Sequence, residues 1–274
     1  MIGLGRIGAF HAETLTALDA VDQLVVTDPV PAAVQAAVDR FRATPIGSTE
    51  ELWRAGLDGV VIASSTATHL DLLRGAVTAG VPVFCEKPVA EDPYAARDLP
   101  DLVRRSGVPV QIGFPRRFDP AFVAAKAELD AGRLGWLTTV RSTTMDPAPP
   151  PMAYIATSGG IYRDCAVHDL DAVRRVTGRD VVEVYATGAN RGDPEFTEVG
   201  DVDTASVLLT LDDGTLGVVS TTRYNGQGYD VRLELHGSEG SVAAGLDPGW
   251  PMRSADPMVS FPAGPTYTSF MDRL

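Results

Sequence analysis

The sequence predicts a two-part protein. Residues 1–114 form an α/β, Rossmann-type doubly wound parallel sheet, and 115–274 an α+β domain with a large, open, mainly antiparallel sheet. Three observations carry this expectation. Short apolar runs alternate with helical stretches as far as residue 113, the pattern of a parallel sheet covered on both faces. A Gly-x-Gly-x-x-Gly run, Gly3-Leu4-Gly5-Arg6-Ile7-Gly8, opens the first helical stretch. Beyond residue 180, strand-like segments follow one another through turns, which makes an antiparallel or mixed sheet.

Each element has its own local reason. Residues 24–27 are a short apolar strand, followed by a helix over 31–42 with Pro31 at its start. Residues 59–63 read as a buried strand, and the helix over 68–79 stops at Gly80. A strand over 81–85, a helix over 93–105 and a strand over 108–113 complete the first part. The pattern then changes. A helix is expected over 120–131 and a strand over 136–144. Residues 145–160 are proline-rich and aperiodic, hence a loop. After a helix over 164–177 come strands over 181–187, 204–211, 217–224 and 229–236. The Asp212-Asp213-Gly214 turn joins two of them as a hairpin.

Bulk properties narrow the function. With 36 acidic against 23 basic side chains, the net charge is −13. That excess disfavours nucleic acid and anionic membranes as partners, because phosphate binding wants a basic surface. It is compatible with a dinucleotide, which backbone N–H groups at a helix N-terminus can hold. No apolar run approaches the roughly 18–20 residues of a membrane span. Two cysteines far apart in sequence make no disulfide framework and point to a reducing cytoplasm.

Three clusters carry chemistry. Gly3, Gly5 and Gly8 allow a tight turn, close approach of a pyrophosphate and close helix–strand packing. Asp28 ends the next strand, where a carboxylate accepts from ribose hydroxyls and repels a 2′-phosphate, so NAD is expected over NADP; the bland alternative is a turn residue before Pro29. Glu86-Lys87-Pro88 lies at the carboxyl end of a strand, where ligands of open parallel sheets bind, and a lysine there can stabilise a developing alkoxide. Gly159-Gly160 precede Asp164 and His168, which four-residue helical spacing would put on one face. Such a pair is the minimum equipment for moving a proton. Zinc is not expected, since His11, His69 and His236 fall on separate elements. His69 reads as structural, and His11 as either a neighbour of the cofactor or a packing residue.

These motifs, with His11 and Gly113-Phe114-Pro115-Arg116-Arg117-Phe118-Asp119, span most of the chain. In order and spacing they resemble the Gfo/Idh/MocA family of NAD(P)-dependent oxidoreductases, within it most closely the myo-inositol 2-dehydrogenases. The resemblance implies a catalytic set of Lys87, Asp164 and His168. It also implies a cofactor site lined by Gly3, Gly5, Gly8, Asp28, Ser64 and Glu86, and substrate contacts from Arg116 and Tyr229. Cys165 stands where the family more often has threonine. The implied reaction oxidises a secondary hydroxyl of a cyclitol or sugar, myo-inositol foremost, with hydride passing to NAD. The implied assembly is a dimer or tetramer paired through the second-domain sheet. The family also has a full apolar strand before the glycine loop and helices beyond residue 274, so an incomplete version of it is expected here. A sensor that binds NAD or sugar without turnover is the other reading, as is an inactive fragment. A sensor, however, has no need of Lys87, Asp164 and His168 together.

Overall fold

The computed structural model describes residues 1–226 and 228–245. They fall into two compact units, divided after Gly113. The first contains α1 (Arg6–Thr16), β1 (Val25–Val26), α2 (Pro31–Phe41), β2 (Thr44–Pro45), α3 (Thr49–Leu52), β3 (Val60–Ile62), α4 (Thr66–Ala79), β4 (Val83–Glu86), α5 (Leu99–Ser106) and β5 (Val110–Gly113). All its strand pairings are parallel. Ile2 bridges Thr27 on one side and Ile62 on the other, so the order across the sheet is β2-β1-Ile2-β3-β4-β5. Alternate side chains feed two cores, as a sheet covered on both faces requires. Ile2, Val60, Ile62, Val83 and Cys85 pack with Leu73, Ala76 and Val77 of α4. Met1 and Val26 pack with Ala12 of α1 and Ala37 of α2.

The second unit contains α6 (Pro120–Asp130), β6 (Leu137–Met145), α7 (Met152–Ile155), α8 (Ile161–Asp164), α9 (Ala166–Thr177), β7 (Val181–Ala189), α10 (Glu195–Glu198), β8 (Thr204–Leu211), β9 (Leu216–Thr222), β10 (Asp230–Gly237) and β11 (Ser241–Ala244). Among the described residues six strands form one sheet in the order β11-β10-β6-β9-β8-β7. Of these strands only β6 and β9 pair parallel; the other neighbours are antiparallel. One face carries Val140, Val207, Leu209, Val219, Leu233 and Leu235 against Phe122 of α6 and Val173 and Val176 of α9. On the opposite face Tyr185, Leu208 and Leu216 remain exposed. The expected hairpin joins β8 to β9, with Gly214 in the left-handed region at φ +87°. Among the described residues no helix is long and apolar enough to cross a membrane.

Two expected helices are broken. The helix over 93–105 becomes a 3-10 turn at Pro93–Ala96 and then α5, whose second residue is Pro100. Inside a continuous helix the Pro100 ring would collide with the Ala96 carbonyl, so the chain restarts. The helix over 164–177 is interrupted at Cys165 (φ −97°, ψ −62°), which separates α8 from α9. Asp164 and His168 therefore lie on different helices, and helical spacing does not put them on one face. Residues 145–160 contain the single turn α7 directly after Pro149-Pro150-Pro151. The elements β2, α3, α10 and β11 were not expected, being too short to show a period.

Asp119 stops the incoming chain and starts α6: its Oδ1 accepts from the N–H of Ala121 at 2.9 Å and of Phe122 at 3.4 Å. Asp119→Ala is expected to lower stability by about 1–2 kcal/mol through loss of this cap. A urea unfolding curve with an unmoved midpoint would refute that.

Candidate active site

In the first unit the three motif glycines do different work. A Cβ on Gly3, where φ is +88°, would lie 2.4 Å from the Ser64 nitrogen, and one on Gly8 would lie 2.2 Å from the Gly3 carbonyl oxygen. Both are packing glycines. A Cβ on Gly5 would meet nothing within 4 Å. Gly5 is the N-cap of α1, so the open space lies where the helix's first N–H groups and dipole favour an anion. This loop fits the pyrophosphate of a dinucleotide.

Asp28 is tied to the same loop. Its Oδ2 accepts the Leu4 N–H at 2.7 Å and its Oδ1 the Val30 N–H at 2.8 Å. A carboxylate has about four acceptor positions, so both oxygens keep capacity for ribose hydroxyls. The turn residue and the candidate ligand are thus one arrangement.

The other candidates in this unit are linked by histidines. His11 Nε2 meets Glu86 Oε1 at 2.7 Å, joining α1 to the end of β4, and its ring edge lies against Phe84 with centroids 5.3 Å apart. Glu86 Oε2 accepts the Lys87 N–H at 3.2 Å. His69 is buried with one ring nitrogen 2.7 Å from the Pro88 carbonyl and the other 3.0 Å from the Ser64 carbonyl. It ties the Ser64 turn to the Lys87-Pro88 turn, the structural role expected of it. Cys85 is buried too, and burial pushes its thiol up to about 12.

In the second unit Asp164 is buried between two donors. Tyr154 OH donates to Oδ1 at 2.9 Å and Arg223 Nη2 to Oδ2 at 2.8 Å. Arg223 also reaches Asp146 Oδ2 at 3.3 Å, and the Cys165 Sγ lies 3.6 Å from that oxygen. Burial raises the Tyr154 phenol above its ordinary range, and the Asp164 charge adds to the effect. The His168 ring stands edge-on to Phe114, with centroids 6.3 Å apart. Sequence reasoning missed Tyr154, Asp146 and Arg223. They sit outside any motif, and only the fold gathers them.

Arg116, expected from the resemblance to contact substrate, is turned inward. It is 5% exposed, with Nη1 2.6 Å from Asp169 Oδ1 and Nη2 bonded to Thr144 Oγ1. Asp169, fully buried, also accepts from Ser142 at 2.5 Å and Thr144 at 2.8 Å. A buried carboxylate draws the arginine to itself because neither charge is tolerable alone in the interior. Arg116 thereby clamps the start of α9, beside His168, onto β6. Tyr229 stands half-exposed ahead of β10.

The glycine roles separate by substitution. Gly5→Ala should leave thermal stability unchanged yet weaken NAD binding by about tenfold or more, because the methyl occupies the anion's approach. Gly8→Ala should destabilise the fold outright. Calorimetric melting and NAD titration of both variants test this, and equal binding by Gly5→Ala and the wild type would remove the loop from the cofactor site.

Comparison with known proteins identifies the family. Residues 1–114 match the oxidoreductase family with an NAD-binding Rossmann fold, and residues 122–243 match the GFO/IDH/MocA C-terminal domain. The myo-inositol dehydrogenase Hyg17 of Streptomyces leeuwenhoekii is 42% identical over 246 residues, 89% of this chain and 75% of the relative. A myo-inositol dehydrogenase from Corynebacterium glutamicum superposes with a TM-score of 0.86 at 37% identity, covering 99% of this chain and 82% of that one. A scyllo-inositol dehydrogenase from Lactobacillus casei, solved with bound NAD(H) and scyllo-inositol, gives 0.85 at 29% identity with coverages of 99% and 82%. The chain belongs to the Gfo/Idh/MocA family of oxidoreductases.

Proposed function

We propose that this protein is an NAD-dependent dehydrogenase that oxidises a secondary hydroxyl of a cyclitol, with myo-inositol going to its 2-keto product. The observation that carries the reading is the extent of the match to inositol dehydrogenases. It covers 89% of the chain with one such relative, and the two family domains, 1–114 and 122–243, hold the glycine loop with Lys87 and the Asp164–His168 region.

The glycine loop takes the cofactor's pyrophosphate at Gly5, with Gly3 and Gly8 packing the loop into place; Asp28 takes its adenosine ribose, and Ser64 and Glu86 line the remainder. When bound, the nicotinamide supplies the acceptor for hydride. His168 takes the proton of the substrate hydroxyl. Lys87 lowers the cost of negative charge on that oxygen, and Asp164 keeps the donor and acceptor groups in register. Arg116 supports this set from within the fold, through Asp169. Tyr229 contributes a polar contact to the polyol.

Lys87→Met and His168→Ala should each lower kcat for NAD reduction with myo-inositol by about 100-fold or more while NAD still binds. Wild-type turnover in either variant would overturn the assignment of that residue. A cytoplasmic setting is supported by two cysteines that lie far apart in the sequence and are both buried. Pairing of subunits through the exposed sheet face is supported by Tyr185, Leu208 and Leu216 there. Leu208→Glu should then shift the sedimentation coefficient toward that of the monomer, and an unshifted value would place any interface elsewhere.

A further inference from the structure

Two carboxylates of the second unit, Asp146 and Asp164, share one buried guanidinium. Strand register brings this about. Met145 pairs with Thr222 across the parallel strands β6 and β9, so the next residues, Asp146 and Arg223, leave the sheet side by side. The Asp146 N–H donates to the Thr222 carbonyl at 2.9 Å and the Arg223 N–H to the Asp203 carbonyl at 2.8 Å, which holds both backbones. The Arg223 side chain is 3% exposed, with Nη2 2.8 Å from Asp164 and Nη1 3.3 Å from Asp146.

A buried cation persists only when paired, and an arginine does not surrender its proton. Its charge is therefore a permanent part of the site, and a nearby carboxylate is favoured in its ionised form. Burial opposes the Arg223 charge, but Cys165, Asp164 and Asp146 around it hold the guanidinium above its ordinary range. Burial raises Asp146 despite the guanidinium. Of the two acids, Asp164 is the closer. With Arg223 on one oxygen and Tyr154 on the other, both rotors of the Asp164 side chain are fixed.

We propose that Arg223 is a positioning residue of the active site, keeping the Asp164 carboxylate ionised and aimed while His168 moves the proton. This rests on the reading of Asp164 and His168 as catalytic groups.

The test is steady-state kinetics of the full chain with NAD and myo-inositol across pH, on Arg223→Met, Arg223→Lys and Asp164→Asn. Arg223→Met should lower kcat by about 100-fold, the cost of misplacing a reacting group by about an ångström. It should leave the KM for NAD unchanged. The acid limb of kcat/KM should move to higher pH, because Asp164 loses the cation that favours its anion. Arg223→Lys keeps the charge but loses the two-pronged contact, so kcat should fall by about tenfold with the acid limb in place. A residue that merely held the fold would lower melting temperature and active fraction without moving that limb. Wild-type kcat and acid limb in Arg223→Met overturn the proposal. Should that variant not fold, wild-type kcat in Arg223→Lys does so. Full turnover by Asp164→Asn would instead remove the catalytic reading itself, so the two failures are distinguishable.

Discussion

The backbone of Ile2 holds the first unit together. Its N–H donates to the Val61 carbonyl and its carbonyl accepts from Ala63, while the next N–H, of Gly3, donates to Thr27. Through these bonds the β1–β2 pair and the β3–β4–β5 group become one sheet. The glycine loop starts at the very next residue, so its place is set by backbone hydrogen bonding before any side chain acts. Everything near the cofactor loop inherits that placement. Leu4 presents its N–H to Asp28, Gly3 comes against the Ser64 backbone, and α1 starts where Gly5 leaves space. Such bonds are modest singly but costly to leave unmade in an interior.

The second unit depends on how it handles buried acids. Asp164 and Asp169 are five residues apart, both buried, and each has its own arginine. The two carboxylates leave the chain toward different partners. Asp169 is spent inside the fold on Arg116, Ser142 and Thr144, three donors that pin α9 to β6. Asp164 is held by groups from α7 and the end of β9. His168 lies between a structural anchor and a chemical one. Pairs of this kind add little net stability, because desolvation offsets attraction, yet removing one partner strands a charge.

Much of this was legible in the sequence, and the exceptions have physical causes. Alternation of apolar runs and helices foretold the parallel sheet, and β8 and β9 were readable because their buried residues alternate, as strands with one covered face must. The glycine loop and Asp28 were visible because their spacing is fixed by local chain geometry. Pro100 should have warned against one long helix over 93–105. The interruption at Cys165 had no such warning, since nothing in Ile161-Tyr162-Arg163-Asp164-Cys165-Ala166 disfavours helix strongly. Arg223 and Asp146 were invisible because 77 residues separate them, and they meet only through strand register. The burial of Arg116 was not foreseen, because it is decided by a carboxylate, Asp169, that the linear text does not pair with it.

The parallel pairing of β6 with β9 has one more consequence. Two strands that end level act as a ruler, delivering their next residues to one spot whatever lies beyond them. The sheet's hydrogen bonds are blind to those residues' side chains. Chemistry at the strand tips can therefore diverge while the scaffold beneath stays unchanged. A fold built this way can take on new substrates through a few point changes at its rim, without paying for a new core.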